Sequence, residues 1–370
     1  MAAREGITRT GREANMCKLS ASNTALTSAV KKQTPLVNRV YDVRMKLMHR
    51  LLNIACTTMG RYETCQILIL GAGQDPCYDV YSSSTRTLYL VDFPEVINER
   101  KQSISDPFIK TVGVDMTNTS QLMLLLRAEG FDVQTPTIIV FECVLCYVNT
   151  DKCSELLSLL SSMMSESLVI SYDPVLKSTD YRVHGLSDHL RAKFSTRGAP
   201  LLSSSVSVTH RIDHFLQAHW KYVSCLNLNH ASVLWLPEEH RRVVLSEPFD
   251  EYTSLTSIHN HYFLTIACLN VDIYRTIMSS LRSVTGDANM TESNRSLRLN
   301  ARLTAAESQM SSIENILKSM VMGTSSPTDA HSFYIREANN EDGDAVTKLY
   351  KQVRIVYADL LFYLFIHLGL

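Results

Sequence analysis

The sequence predicts an α/β protein built on a Rossmann-like, mostly parallel sheet with helices on both faces. Three observations predict it. Apolar runs of strand length alternate with helical patterns between residues 65 and 172. The first run ends in Gly71-Ala72-Gly73, where glycine lets the backbone turn sharply and lie close to a ligand. The second ends in Asp92, 21 positions after Gly71, an acid placed to accept hydrogen bonds from both hydroxyls of a ribose.

The elements follow in order. Residues 1–35 are polar. A helical pattern starts near Asn38 and runs through VYDVRMKLMHRLLNIA. Strands are predicted at 65–70, 87–92 and 111–114, the last ending at Asp115, followed by a helix at 118–130. A strand at 137–141, a helix at 151–164 and a strand at 168–172 continue the alternation. Two more strands, 222–226 and 262–268, follow one another without a short helical step of the earlier kind. They read as an antiparallel hairpin closing the sheet. The character changes near residue 275. Residues 276–296 read as a linker, rich in Ser, Asn and Thr towards their end. Leu299, Leu303, Ala306, Met310, Ile313, Leu317 and Met320 then recur at alternating spacings of 4 and 3. That pattern over 297–322 is either a short heptad seam for self-association or one amphipathic helix lying on the main domain. In the 323–370 tail, SFYIREANNEDGDAVTKLYKQV resembles the opening strand and helix of a GNAT acetyltransferase. It stops short of the loop that holds the acetyl-CoA pyrophosphate, so no such activity is assigned. The closing YADLLFYLFIHLGL is apolar but too short to span a bilayer comfortably.

The 370 residues suffice for one large domain with additions, or for two. A net charge of −1 leaves no global basic field to gather nucleic acid or anionic lipid. Nine scattered cysteines, with no apolar signal segment in MAAREGITRTGREAN, predict reduced thiols and a cytoplasmic protein, or one also in the nucleus. No membrane contact is expected. Cys143, Cys146 and Cys153 invite a zinc reading, but no second CxxC or nearby His pair completes four ligands, and no metal is expected.

Chemistry concentrates at the C-terminal ends of the predicted strands, where open α/β sheets bind ligands. Gly71 and Gly73 end the first, Asp92 the second and Asp115-Met116 the third. Glu142 ends the fourth with Tyr147 just beyond, and Tyr172-Asp173 end the fifth. The glycine–acid pattern alone leaves a dinucleotide and S-adenosylmethionine (SAM) both open. A NAD dehydrogenase fits poorly, because a third glycine is missing from GAGQDP.

With their surroundings, these residues resemble the leucine carboxyl methyltransferase family. The matching stretches are NRVYDVR (38–44), LILGAGQDP (68–76), YLVDFPEV (89–96), VGVDM (112–116), PTIIVFECVLCYV (136–148) and ISYDPV (170–175). WLPEEHRRVVLSEPFDEYTSL (235–255) and HYFLTIA (261–267) complete the set. The resemblance implies a class I SAM-dependent methyltransferase sheet with an antiparallel last strand over 36–275. It would be preceded by a divergent N-terminal lid or tail at 1–35 and followed by a helical C-terminal extension.

The resemblance also implies roles. Gly71 and Gly73 would lie under the methionine part of SAM, Asp92 would hold the ribose, and Asp115 with the Met116 backbone would hold the adenine. Glu142 would sit at the methionyl amine and sulfonium. Arg44 would grip the SAM carboxylate through a charge-assisted fork and serve catalysis. Tyr147 would lie at the reacting end as the second catalytic residue, and Arg39 is a further candidate in the same segment. Two departures are visible. Pro76 stands where the family usually has a small hydroxyl residue. The family's lid lysine has no clear counterpart among Lys18, Lys31 and Lys32 in a contracted N-terminal segment.

The implied activity is carboxyl O-methylation of the C-terminal leucine of the protein phosphatase 2A catalytic subunit. A C-terminal carboxyl titrates near 3.5, so at neutral pH it is already an ionised nucleophile needing alignment rather than a general base. The alternative from the same resemblance is the tRNA wybutosine-synthesis enzyme, which methylates a carboxyl on a modified guanosine. Another alternative is a SAM-binding relative that has lost catalysis and acts as a binding protein.

Overall fold

Cys65–Leu70 (β1) is buried at every position, so it needs cover on both faces and a neighbour on both edges. Its one polar residue, Gln66, is satisfied in place. The amide nitrogen donates to the Asp132 carbonyl at 2.7 Å, and the amide oxygen accepts the Asp132 N–H at 3.0 Å. The computed structural model describes residues 2–22, 33–176, 185–203, 207–236, 238–239 and 249–282, all within one compact unit, Met1–Glu292. The seam at 297–322 and the 323–370 tail lie outside the described residues.

The strands are Arg86–Asp92 (β2), Ile109–Gly113 (β3), Thr137–Glu142 (β4), Ser167–Pro174 (β5), Tyr222–Asn227 (β6) and Tyr262–Cys268 (β7). Their order in the sheet is β3-β2-β1-β4-β5-β7-β6. β7 runs antiparallel to both of its neighbours, and the other pairings are parallel. This is the class I SAM-dependent methyltransferase sheet that the resemblance implied. The chain reverses its direction of winding between β1 and β4, the crevice where such sheets take ligands. The register brings the strand tips level: Leu70 pairs with Val91 and with Phe141, Asp92 with Gly113, and Glu142 with Tyr172. One rim therefore carries Gly71, Asp92, the residues after Gly113, and Glu142.

The last strands differ from the expected hairpin. Helices Leu228–Trp235 (α8) and Tyr252–His259 (α9) lie between β6 and β7. β7 returns into the slot between β5 and β6, where it pairs on both edges and is almost wholly buried. The expected boundary at 275 also shifts. Val271–Arg282 (α10) runs across it and packs on α8 and on Pro35–Met59 (α2). Its buried Ile273, Ile277, Met278 and Leu281 make one face at spacings 4-1-3, enough to override the polar composition of the segment.

α2 starts where Thr34 accepts the Val37 N–H, with Pro35 in the first turn, and it stops at Gly60. It buries Leu47, Met48, Leu51, Leu52, Ala55 and Met59 along one stripe. The other helices are Ala2–Ala21 (α1), Pro94–Arg100 (α3), Thr119–Ala128 (α4), Thr150–Met163 (α5), Gly185–Thr196 (α6) and Val208–Gln217 (α7). One core on a face of the sheet joins Leu68, Val91, Phe141, Leu157, Leu160 and Trp220. The Trp220 indole N–H donates to the Leu157 carbonyl at 3.2 Å. No described helix is long and apolar enough to cross a membrane.

Gly71 is required by shape as well as by conformation. Its φ is +78°, and a Cβ there would stand 2.3 Å from a methyl of Val144. Gly71→Ala is expected to lower stability by about 1–3 kcal/mol through left-handed strain and overpacking. Urea unfolding of the two proteins would measure this; equal midpoints would contradict the packing described.

Candidate active site

Gly73 begins the open side of the rim. Its φ is +59°, and a Cβ built there would meet nothing within 4 Å, so the turn borders free space. Its N–H donates to Asp92 Oδ2 at 2.8 Å, and the Phe93 N–H donates to Asp92 Oδ1 at 2.7 Å. Burial raises the Asp92 pKa, and the two N–H donors oppose that rise. Each carboxylate oxygen keeps a lone pair beyond its backbone bond, enough to accept two further hydroxyls.

The second cluster centres on Glu142 at the tip of β4. Lys18 Nζ lies 2.8 Å from Oε2 and Arg44 Nε 2.6 Å from Oε1, and the Tyr78 hydroxyl also donates to Oε2. Lys18 bridges onward to Asp75, and the Arg44 guanidinium lies 4.8 Å from the centre of the Tyr172 ring. The side chains of Lys18, Arg44 and Glu142 are each under a tenth exposed. Burial works to raise the Glu142 pKa, but the Lys18 and Arg44 cations outweigh it and hold the carboxyl well below the usual range. Burial likewise works to lower the Lys18 pKa, and Glu142 more than reverses this. Two cations face one carboxylate here, with Asp75 as the outer counter-ion. The cluster can therefore take the carboxylate of an amino-acid-like ligand on Arg44 and its ammonium on the Glu142 side.

The linkage has a definite sign. Glu142 is depressed in the folded state, so its contribution is complete above its unfolded pKa, about 4.3, and is lost as pH falls from there through the folded value. Lys18 is raised, so its contribution is complete below about 10.4 and is lost above the folded value. The stability difference between wild type and Glu142→Gln is expected to stay level between these limits and to shrink on acidification below about pH 4. Thermal unfolding across pH reads it; a difference that grows in acid would contradict the assignment.

The third cluster is at the tip of β3. Asp115 Oδ1 accepts the Thr117 N–H at 3.0 Å and the Thr117 hydroxyl at 2.7 Å, and Oδ2 pairs with Arg4 at 3.0 Å. Burial works to raise the Asp115 pKa, but these partners overcome it and leave it lowered. Met116 is buried beside it. A cavity of about 600 Å³, lined in part by Arg4, Asp115, Thr117 and Asn118, opens at this end. The Arg4–Asp115 pair is about two-fifths exposed and is cheaply displaced by an incoming donor.

Helix α1 crosses the rim from end to end. Arg4 reaches Asp115, Arg12 reaches Glu99, Asn15 approaches the Gln74 carbonyl, and Lys18 reaches Asp75 and Glu142. On its other side Gly6 lies against Gly198, so closely that a Cβ would stand 2.2 Å from the Gly198 carbonyl oxygen. Lys18 is the residue of the Glu142 cluster that sequence reasoning left unassigned, and no local motif marks it. Its partners lie 57 and 124 positions away, and α1 has little apolar periodicity.

Beyond β4 the chain turns through Cys143, whose φ is +58°, into a 3₁₀ turn, Leu145–Tyr147. The Tyr147 ring packs edge-on against Phe194 of α6 at 6.2 Å. Burial holds its phenol far above the usual value, so it stays protonated at ordinary pH and serves as a hydroxyl rather than a phenolate. Arg39 lies over the Phe249 ring at 4.1 Å and ties that residue to α2. Asp173 turns inward from the rim and is buried against Ser171 and Arg211. Pro76 opens a 3₁₀ turn, Pro76–Tyr81, capped by Asp75, which accepts the Cys77 N–H at 2.9 Å. Asp75 and Lys18 thus meet beside Pro76. The described residues contain no group of His, Cys, Asp and Glu arranged to hold a metal.

Comparison with known proteins agrees with this geometry. The family model described as leucine carboxyl methyltransferase matches residues 2–161. The tRNA wybutosine-synthesizing protein 4 of Rattus norvegicus is 26% identical over 274 residues, covering 65% of this chain and 40% of the relative. The chain therefore spans about two-fifths of that relative's length. Leucine carboxyl methyltransferase 1 of Bos taurus is 22% identical over 300 residues, covering 70% of this chain and 89% of the relative. Among solved structures, the plantazolicin methyltransferase BamL is 12% identical, covering 72% of this chain and 100% of that one, with a TM-score of 0.40. The fold assignment rests on the strand order and not on that superposition. Residues 2–161, which carry the glycine turn, the ribose-type acid and the β4 glutamate on one rim, match the leucine carboxyl methyltransferase family.

Proposed function

We propose that this protein is a SAM-dependent carboxyl O-methyltransferase acting on the C-terminal leucine of the protein phosphatase 2A catalytic subunit. The observation that carries the reading is the convergence of Lys18 and Arg44 on Glu142, on the same rim as the Gly73–Asp92 turn. That donor set suits SAM: hydroxyl acceptors at Asp92, an amino acceptor at Asp115, and paired cations with one anion for the methionyl end. When bound, SAM supplies an electrophilic methyl group on a sulfonium.

This chain's residues bind, orient and exclude water. Arg44 holds the methionyl carboxylate with the guanidinium nitrogens not engaged by Glu142. Lys18, delivered by α1, closes the same end. Tyr147 offers a protonated hydroxyl that can donate to the substrate carboxylate and fix its direction. No group has to remove a proton, since the substrate is an anion at neutral pH. Alignment in a dry site then accounts for most of the rate. The span of the match, 89% of the bovine leucine carboxyl methyltransferase 1, supports the protein-tail substrate. A tRNA substrate is the second reading, favoured by the higher identity to the wybutosine relative.

The test is methyl transfer from labelled SAM to three substrates: the intact phosphatase subunit, a copy lacking its terminal leucine, and phenylalanine tRNA. Label on the intact subunit alone is expected. Label on tRNA alone would move the assignment to the second reading. SAM binding without label on any substrate would overturn catalysis.

A further inference from the structure

Behind the 143–147 turn lies a buried ion pair that the site as described does not use. Arg211, on α7, places one terminal nitrogen 2.8 Å from Asp173 Oδ2 and 2.6 Å from the Ser171 hydroxyl. The Ser171 hydroxyl itself donates to Asp173 Oδ2 at 2.8 Å. The Arg211 and Asp173 side chains are 4% and 2% exposed. The other carboxylate oxygen, Oδ1, accepts the N–H groups of Val144 at 3.1 Å and Cys146 at 3.2 Å.

A buried pair of this kind is a poor source of stability. Apolar residues of the same volume often do as well or better. Its placement shows a different use. The turn starts at Cys143, a non-glycine residue in the left-handed region, which persists only where its surroundings over-determine it. The surroundings here do so. The Cys143 N–H donates to the Tyr172 carbonyl at 2.6 Å, and the Cys146 carbonyl accepts the N–H groups of Leu202 and Ser203 at 2.8 and 3.1 Å. Asp173 holds two amides of the turn at once, and Arg211 and Ser171 hold Asp173. The next residue out is Tyr147.

We propose that Arg211 is a positioning residue for methyl transfer: through Asp173 it sets the 143–147 turn and so the direction of Tyr147. This rests on the reading above that Tyr147 faces the reacting end. Arg211 touches neither Glu142 nor Asp92, so the brace acts on turnover more than on SAM binding.

The test compares Arg211→Met and Arg211→Lys in the full chain. Arg211→Met is expected to lower kcat about tenfold or more, as misplacement of a reacting group does. The KM for SAM should stay within about twofold. Arg211→Lys, which keeps the charge, is expected to recover most of kcat. Hydrogen exchange at the Val144 and Cys146 amides should speed up in Arg211→Met while the β4 amides stay protected. Ser171→Ala removes only the bridging hydroxyl; if Arg211→Met does not fold, it should show the same exchange change and a smaller loss of kcat. A folded Arg211→Met with wild-type kcat, kcat and SAM affinity falling together, or unchanged exchange at 144 and 146 would overturn the proposal. If the wild type methylates none of the substrates offered, the assigned activity fails, while the exchange measurement still decides whether Arg211 sets the turn.

Discussion

Arg44→Ala is expected to abolish measurable SAM binding and to lower stability by about 3–5 kcal/mol, the usual cost of removing one partner of a buried charge pair. Both effects have one origin. Arg44 Nε is 2.6 Å from Glu142, the guanidinium lies over Tyr172, and both members of the pair are buried. Removing it leaves Glu142 to Lys18 and Tyr78 and deletes the fork proposed to meet the methionyl carboxylate. Arg44→Lys restores a charge without the fork, so it should recover stability far better than binding. Calorimetric titration with SAM, beside thermal unfolding, separates the two effects. An Arg44→Ala protein with wild-type affinity would remove Arg44 from the site.

Asp92→Ala is expected to weaken SAM binding by about 1–3 kcal/mol, the worth of hydrogen bonds to an ionised acceptor. The structure adds a second consequence. Asp92 also accepts the Gly73 N–H, so the substitution frees the turn that borders the open side of the rim. Asp92→Asn keeps an acceptor for that N–H and should stand between the two in affinity. An unchanged dissociation constant for Asp92→Ala would mean that the ribose, if bound, lies elsewhere.

The parts of the site that were legible in the sequence are those written into local pattern. A buried parallel strand must be apolar along its length and must end where the chain meets ligand or water. Strand ends can therefore be read directly, and Gly71, Gly73, Asp92, Asp115 and Glu142 with them. β6 and β7 were legible as strands, but their connection was not. The residues between them look irregular as sequence, and the helices α8 and α9 are short and depend on tertiary contacts. The segment after 275 misled through composition, since the apolar face of α10 occupies only a third of its residues. Lys18 and Arg211 were illegible for a common reason. Each is a lone cation on a helix surface by sequence, and becomes a site or brace residue only through partners 38 or more positions away.

The path of α1 ties the two ends of the rim to a single helix. Fourteen residues separate Arg4 from Lys18, about 21 Å of helix at 1.5 Å per residue. The two ends are fastened to the tips of β3 and β4, one by an exposed pair and the other by a buried one. Between those ends the helix is also held by Arg12 on Glu99 and by the close approach of Gly6 to Gly198. The grip on the helix therefore grades from a loose, exposed pair at Arg4 to a tight, buried one at Lys18. Ionic strength would loosen the Arg4 end long before it disturbed the Lys18 end.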